Sequence, residues 1–320
     1  MTDTLASQRR KIGGAGDLES VVRSMKALAA SSICQYEKSV LSLQDYYHNI
    51  ELGLIVCLRN RERVRVDNRE EPEFASVLTK TVNVVVFGSD QGLVGQFNEQ
   101  IAEFVVKSIE RMPGEKKIWA VGERVHSRLT EAGYAPVGLF AVPTSVNAIT
   151  PLVGRILIES EAHYGQGEIG QLYLYRNRPV SGATYEPLGQ QLLPLDHTSG
   201  TRLAHQPWPT KFQPEVLGDT EPTLRALVGE YLFVSLYKAC AESLASENAS
   251  RLAAMQRAEK NIDELMEALN QTFRQMRQSS IDEELFEVLS GYESLSKSET
   301  NRNSDKKNGE EMSIMVSDEP

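Results

Sequence analysis

The sequence predicts an α/β protein that also carries a long α-helical coiled coil. Apolar residues recur every three or four positions over residues 1–59 and again over residues 222–295, a spacing typical of long amphipathic helices. Between these two regions, short strand-like and helix-like segments alternate. We therefore expect the two chain ends to form an antiparallel two-helix shaft beside a small α/β domain.

Composition narrows the class of protein. The 320 residues carry a net charge of −10, which disfavours nucleic acid as the main partner because phosphate binding needs a basic face. The three cysteines have no paired spacing, so neither a zinc site nor a disulfide framework is expected. No apolar run approaches the roughly 20 residues of a membrane span, so we expect no direct membrane insertion.

Residues 1–59 are predicted to be the N-terminal helix of the shaft. Its apolar stripe includes Leu18, Val22, Leu28 and Tyr36. The cluster Gly13-Gly14-Ala15-Gly16 interrupts it, and each glycine costs about 1 kcal/mol relative to alanine inside a helix. We expect the helix to fray or kink here, or a partner surface to come too close for side chains. A charged segment, residues 59–76, follows as an exposed linker.

Residues 77–195 are predicted to form a Rossmann-like α/β domain. Strand-like runs at residues 81–87, 117–121, 137–142, 170–176 and 185–193 alternate with helical segments at 95–111, 125–132 and 149–164. Such alternation favours βαβ units and a mainly parallel sheet. With right-handed crossovers, it predicts a small doubly wound domain.

Residues 222–295 are predicted to be the long C-terminal helix of the shaft. After Pro222 the segment has no proline, and at 1.5 Å per residue it would extend roughly 100 Å. Residues 296–320 are strongly polar, and this low hydrophobicity predicts a disordered tail.

The turn after the first strand is the strongest candidate for a binding site. It contains Ser89, Asp90, Gly92 and Gly95, but it matches neither the GxGxxG pattern nor a Walker loop. We interpret these residues as a structural turn and expect no catalytic, cofactor-binding or metal-binding residues. A Rossmann-like nucleotide-binding enzyme is the main alternative, and an unrelated coiled-coil scaffold that pairs as a homodimer is the third.

Several segments resemble the gamma subunits of rotary F-type ATP synthases. Residues 242–255, ESLASENASRLAAM, resemble that family's ESLASEHAARMVAM, and residues 89–95, SDQGLVG, resemble its SDRGLCG. Residues 24–30, SMKALAA, resemble KAMKMVAA, and residues 277–285, RQSSIDEEL, resemble RQASITQEL. The loop QLLPL at residues 191–195 also matches, so the resemblance extends over nearly the whole chain up to Leu295.

The resemblance implies a non-catalytic central stalk, a shaft that rotates inside an alternating alpha–beta hexamer. Its implied partners are the alpha, beta and epsilon subunits and the membrane c-ring, with ATP chemistry in alpha and beta. Its implied location is peripheral, at the cytoplasmic face of the cell inner membrane. By motif, Met25 and Lys26 would meet the lever region of beta, and Arg277, Gln278 and Asp282 a beta catch loop.

Some positions depart from the family pattern. Asp282 stands where the family has threonine, so the residue at this contact differs from the family pattern. The glycine cluster and residues 16–22 replace the usual KNTQKIT stretch, and the tail after Leu295 is longer than is typical. These differences resemble the divergent N-type branch of rotary ATPases.

Overall fold

The structure is a computed structural model that describes residues 4–68, 81–162, 171–180, 184–195, 208, 211–212 and 214–314. For residues 61–68, 161–162 and 294–314 it describes only the backbone. By its internal contacts the chain divides into two compact units. The first contains Met1–Val22 and Glu259–Pro320, and the second contains Arg23–Ala258.

Six α-helices and five strands are described. The helices are α1 (Leu5–Ser42), α2 (Gln44–Asn68), α3 (Phe97–Ile109), α4 (Glu123–Glu131), α5 (Ile149–Ala162) and α6 (Thr220–Ile314). The strands are β1 (Thr81–Phe87), β2 (Glu115–Val121), β3 (Gly138–Phe140), β4 (Gln171–Val180) and β5 (Thr184–Leu193). A 3₁₀ turn, Val146–Ala148, precedes α5. These elements confirm the predicted class of an α/β protein with long terminal helices.

The strands form one sheet in the order β3-β2-β1-β4-β5. β1 pairs in parallel with β2 and β4, and β2 pairs in parallel with β3. The edge strand β5 runs antiparallel to β4. The chain moves outward from β1 to β3 and then returns to the other side of β1, so the strand order reverses between β1 and β4.

Helices cover both faces of this sheet, as expected for a doubly wound domain. On one face, α3 and α4 pack over alternate residues of β1; this core includes Val84, Val86, Ile101, Val105, Val125 and Leu129. On the other face, α5 and α6 pack over the remaining residues; this core includes Val85, Phe87, Trp119, Val153, Ile156 and Leu236. Because both faces are covered, six of the seven β1 residues are buried.

In the first unit, α1 and α6 each present a seven-residue repeat. Gln8, Ala15 and Val22 of α1 are buried at this spacing, and the Gln8 Nε2 donates a hydrogen bond to the Leu269 carbonyl at 3.3 Å. The half-buried apolar residues of α6 are Ile262, Met266, Leu269, Phe273 and Met276. This repeat of three and four residues is typical of a coiled-coil seam.

In the second unit, α2 runs antiparallel to α6. The Tyr46 hydroxyl donates to Glu230 Oε2 at 2.8 Å, and further along the pair the Asn60 Nδ2 donates to Thr220 Oγ1, also at 2.8 Å. As residue numbers rise on one helix, they fall on the other. Leu43 separates α1 from α2, and its amide donates to the Val40 carbonyl at 3.2 Å, a one-turn tightening of the helix.

The predicted apolar stripe of α1 is buried only in part. Leu18 and Leu28 belong to the predicted stripe, yet they are 58% and 69% exposed. Val22 and Tyr36 of the stripe are buried, and so are Ala15 and Ala29, which lie seven residues before and after Val22. Small side chains let two helices approach closely, so the seam follows the alanines and the leucines face outward.

Two predicted boundaries are wrong in the described residues. The N-terminal helical region does not end near residue 59, because α2 runs to Asn68; residues 69–76 of the predicted linker lie outside the described residues. The tail at residues 296–320 was predicted to be disordered, but α6 continues to Ile314. Neither stretch of helix contains proline, and extending an existing helix avoids the cost of nucleation.

The glycine cluster lies inside the continuous helix α1, so the expected fraying is wrong. A Cβ atom built at Gly13, Gly14 or Gly16 meets nothing within 4 Å among the described residues. Replacing all three by alanine should therefore stabilise the full chain by about 0.5–1 kcal/mol per site, because alanine loses less backbone entropy. Thermal unfolding followed by circular dichroism measures this gain.

The matched control is Gly53, a helical glycine in α2. Its Cβ would lie 3.1 and 3.2 Å from the two Leu227 methyl carbons, so crowding should offset most of the gain from Gly53→Ala. A triple alanine variant that unfolds at the same temperature as the wild type would contradict the prediction.

Candidate functional site

The predicted structural turn connects β1 to α3. Ser89 is fully buried, and its amide donates to Asn98 Oδ1 at 3.0 Å. The Asn98 Nδ2 donates in return to Ser89 Oγ at 2.8 Å. This reciprocal pair joins the turn to the first helical turn of α3, and the Ser89 hydroxyl itself donates to the Gln91 carbonyl at 3.0 Å.

Asp90 connects the turn to two other segments of the sheet edge. Its Oδ1 accepts from the Glu123 amide at 3.0 Å, and its Oδ2 accepts from the Val142 amide at 2.8 Å. The first bond satisfies an amide at the start of α4, where a carboxylate also interacts favourably with the helix dipole. Both carboxylate oxygens of Asp90 therefore serve the fold.

The glycines of this region have different roles. Gly95 has a φ of +58°, and its Cβ would lie 3.5 Å from Ser250 Oγ. Gly92 is less restricted, since its Cβ would meet only Arg124 Nη2 at 3.8 Å. Sequence reasoning missed Gly122, which has a φ of +117° and whose Cβ would lie 2.8 Å from backbone atoms of Ser89. A glycine directly after a buried strand was the only available signal.

The strand order reverses between β1 and β4, where doubly wound domains commonly bind ligands at the carboxyl ends of their strands. Val86 pairs with Tyr175, so Arg176 and Asn177 lie level with the end of β1. In this protein, α6 packs at that position. The structure therefore does not favour the nucleotide-binding alternative.

Three residues of α6 make polar contacts there, and we call Glu242, Ser246 and Ser250 the polar ladder. The Arg176 Nε donates to Glu242 Oε2 at 2.5 Å, with both side chains buried. The Ser246 Oγ donates to the Asn177 carbonyl at 3.1 Å. The Ser250 Oγ donates to the Val94 carbonyl at 2.5 Å. One helix face is thus bonded to β4 and to the β1–α3 turn.

Two strand residues connect the ladder to its surroundings. The Arg176 Nη1 also donates to Gln190 Oε1 of β5 at 3.2 Å. The Asn177 Nδ2 donates to the Phe97 carbonyl at the start of α3, at 3.0 Å. The ladder therefore connects α6 with β4, β5, α3 and the turn.

Glu247 is a buried acid beside the ladder. Its Oε1 accepts from Arg251 Nη2 at 2.7 Å, while its Oε2 has no hydrogen-bond partner among the described residues. Burial raises the pKa of Glu247 above its usual value near 4.5, the Arg251 charge lowers this pKa, and the Asp90 charge raises it. The net direction is upward, because loss of water disfavours the ionised form.

This upward shift in the pKa predicts a pH dependence of stability. The folded protein holds the Glu247 proton more tightly than the unfolded chain, so stability should rise as the pH falls through the folded pKa. Stability should level off once the pH is below the pKa of Glu247 in the unfolded chain. Glu247→Gln should reduce the gain in unfolding free energy between about pH 8 and about pH 5. Urea titrations at both pH values measure the unfolding free energies of the wild type and the variant.

Ser243, a buried residue of α6 without an ionisable group, offers a control. Ser243→Ala should leave the pH dependence close to that of the wild type. A Glu247→Gln variant with an unchanged pH dependence would show that the buried carboxyl does not titrate as described.

The five residues implied as partner contacts lie on the long helices. Met25 and Lys26 are half-buried on α1, in the second unit. Arg277, Gln278 and Asp282 are exposed on α6, in the first unit. The exposed side chains on α6 are placed where another protein could contact them.

A surface that sequence reasoning did not single out follows Arg277 along α6. We call it the apolar collar: Ile281, Leu285, Phe286, Val288, Leu289 and Tyr292. These side chains are 52–73% exposed. The spacing of three and four residues was visible in the sequence, but whether the stripe is covered within the chain depends on where α1 lies. Exposed apolar surface of this kind marks interaction sites.

Within the described part of the chain, no three His, Cys, Asp or Glu side chains come together as a possible metal site. Cys34 is exposed, Cys57 and Cys240 are buried, and all three are free thiols. No described helix is long and apolar enough to cross a membrane.

Comparison with known proteins identifies the family. A family model described as ATP synthase matches residues 4–295. The ATP synthase gamma chain of Anaeromyxobacter sp. is 27% identical over 306 residues, covering 91% of this chain and 99% of the relative. The gamma chain of Gloeobacter violaceus is also 27% identical, over 310 residues, covering 88% and 97%.

Solved structures share the fold. The rotor of Euglena gracilis mitochondrial ATP synthase matches with a TM-score of 0.58 and 17% identity, covering 88% of this chain and all of that one. The central stalk and c-ring structure of Tetrahymena thermophila mitochondrial ATP synthase contains a chain that matches with a TM-score of 0.53 and 20% identity, covering 74% and 99%. Because the family model spans most of the sequence, the chain belongs to the ATP synthase family, as a relative of its gamma chains.

Proposed function

We propose that this chain is the central stalk of a rotary F-type ATP synthase or ATPase. It turns within the alpha–beta hexamer and couples ion flow through the membrane sector to ATP synthesis or hydrolysis. Its partners are the alpha, beta and epsilon subunits and the membrane c-ring. The observation that carries the proposal is the apolar collar, because an exposed apolar surface of this kind on a helix marks a site where another protein encloses it.

The charged residues next to the collar support a specific contact there. Arg277, Gln278 and Asp282 are exposed on α6 immediately before and within the collar region. Charged and polar groups at the edge of an apolar contact give an interface its orientation, while the apolar part supplies area. On α1, the outward-facing Leu28 lies one turn from Met25, in line with a second contact to beta.

The proposed role includes no catalysis by this chain. A doubly wound enzyme binds its nucleotide where the strand order reverses, and in this chain the polar ladder lies at that position. Both carboxylate oxygens of Asp90 accept backbone hydrogen bonds. ATP chemistry then belongs to the partner subunits. We place the protein at the cytoplasmic face of the inner membrane, as a peripheral subunit of the complex.

Co-expression tests the assignment. The chain, expressed with the alpha and beta subunits of the same source, should co-purify as a complex that contains a single copy of it. An unrelated coiled-coil scaffold would instead form a homodimer, because its apolar stripes would pair between two copies. A well-folded chain that does not enter the complex would overturn the proposal.

Contact residues on α6 can be tested separately. Arg277→Ala should slow ATP turnover by the assembled complex about tenfold, since losing a charge-assisted hydrogen bond costs about 1.5 kcal/mol. The thermal stability of the isolated chain should not change, because this side chain is exposed. Arg274→Ala, one turn earlier on the same helix and also exposed, is the matched control and should retain turnover. Equal ATP turnover in the two variants would contradict the proposed contact of Arg277 with a partner subunit.

The departures from the family pattern support a finer proposal, that the chain belongs to the divergent N-type branch. Neighbouring genes test it: an operon with alpha, beta, epsilon and c genes in the order typical of that branch is expected. An operon of the ordinary arrangement would overturn the branch assignment and leave the stalk assignment in place.

A further inference from the structure

The contact between α6 and the sheet combines two kinds of surface. Much of it is apolar and built from small residues, including Ala239, Ala241 and Ala245, which are nearly fully buried. Apolar burial stabilises the contact, but it is non-directional. A smooth alanine-rich surface therefore gives little resistance to a small rotation of α6 about its own axis.

The polar ladder provides directional contacts, which the apolar surface lacks. Glu242, Ser246 and Ser250 are spaced by four residues, so they lie along one face of α6 over about 12 Å. Each is bonded to a different point of the α/β domain: the Arg176 side chain, the Asn177 carbonyl and the Val94 carbonyl. Rotating or sliding the helix would break all three contacts together.

The bonding is selective among the buried serines of α6. Ser243 is 2% exposed, and its Oγ has no hydrogen-bond partner among the described residues. Ser246 and Ser250, by contrast, each donate to a backbone carbonyl outside the helix. Burial alone therefore does not account for these bonds, and their position along one face does.

We propose that the polar ladder is the torsional coupling between the α/β domain and α6. This inference rests on the proposed function, because only a rotor must carry torque from one part of the chain to another. The residues of the ladder act as positioning residues: they hold the angle of the helix in the domain while the apolar contact supplies most of the stabilisation. Torque applied to the domain then twists α6, and the helix does not slip where it contacts the sheet.

Single-molecule measurement of torsional stiffness tests this role. The assembled alpha–beta complex is fixed to a surface, and a bead is attached to the α/β domain through Lys107→Cys, an exposed position on α3. Cys34→Ser removes the exposed native thiol. With rotation stalled, the variance of the bead angle reports the stiffness between the domain and the hexamer.

Ser246→Ala together with Ser250→Ala removes two of the three contacts and should increase the angular variance about twofold, since each directional bond that resists twisting is lost. Ser243→Ala, the matched control, removes a buried hydroxyl without a bond and should leave the variance unchanged. Ser250→Thr retains the hydroxyl and should restore part of the stiffness that Ser250→Ala loses.

Each outcome has a distinct meaning. Equal variance in the wild type and the doubly substituted chain, with both correctly folded and assembled, would overturn the torsional role. An equal increase for Ser243→Ala would also overturn it, because loosened packing would then explain the effect. Failure of the wild-type chain to assemble or rotate would instead overturn the proposed function.

Discussion

Gly122→Ala should destabilise the protein by about 3–5 kcal/mol, because two independent costs combine at this position. Its φ of +117° is strained for any residue with a side chain. Its Cβ would also lie 2.8 Å from the nitrogen, carbonyl carbon and carbonyl oxygen of Ser89, which are backbone atoms without rotamer freedom. The β1–α3 and β2–α4 turns would have to separate to make room.

That separation would disturb bonds that hold the sheet edge together. The Arg124 amide donates to the Ser89 carbonyl at 3.0 Å, and the Gly88 amide donates to the Val121 carbonyl at 2.8 Å. Chemical unfolding of the full chain, followed by circular dichroism and by tryptophan fluorescence, measures the loss. Trp119 is a suitable reporter because it is buried in β2.

Gly133→Ala separates the two costs. Gly133 also has a positive φ, +89°, but its Cβ would meet nothing within 4 Å among the described residues. Only the backbone strain remains, so we expect a loss of about 1–2 kcal/mol. If the two variants lose equal stability, the close approach of Gly122 to Ser89 has no energetic consequence and the proposed packing of the turns is incorrect.

Glu242→Leu should cost about 3–5 kcal/mol, because it leaves the buried guanidinium of Arg176 without its counter-charge. The two side chains are only 6% and 10% exposed, so water cannot replace the lost partner. Replacing both residues, Arg176→Met with Glu242→Leu, should recover most of this loss. An apolar pair of similar volume needs no compensating charge.

A double-mutant cycle of unfolding free energies measures the coupling between the two positions. The control pair is Arg178 and Glu186, an ion pair between β4 and β5 whose side chains are 46% and 49% exposed. Its removal should change stability by about 0.5 kcal/mol or less. A coupling energy for the buried pair as small as that of the exposed pair would refute the prediction.

The sequence was most informative where the relevant physics is local. Heptad spacing predicts long terminal helices, and strand–helix alternation predicts the doubly wound sheet, because both patterns depend on neighbours along the chain. The boundaries failed for a related reason: charged, proline-free segments such as residues 59–68 can continue a helix or form a linker. Composition alone does not distinguish the two.

Site residues were partly visible. Ser89 and Asp90 were singled out by their place after a buried strand, and the structure brings Asp90 to Glu123 and Val142. Gly122 was missed because its requirement arises from a different turn, that of Ser89. The polar ladder was visible only as part of a family motif, and nothing in the motif indicates which of its serines form bonds.

By itself, the sequence determined the element types, the absence of a recognised phosphate-binding loop and the family. Only the tertiary structure decided which face of α1 enters the seam, which residues form the ladder, and that the apolar collar stays exposed among the described residues. These features depend on contacts such as Val94 with Ser250 and Arg176 with Glu242. Residues so far apart in the chain meet only once the sheet and the long helix have packed, and the position of each side chain on the packed helix decides which of them bond.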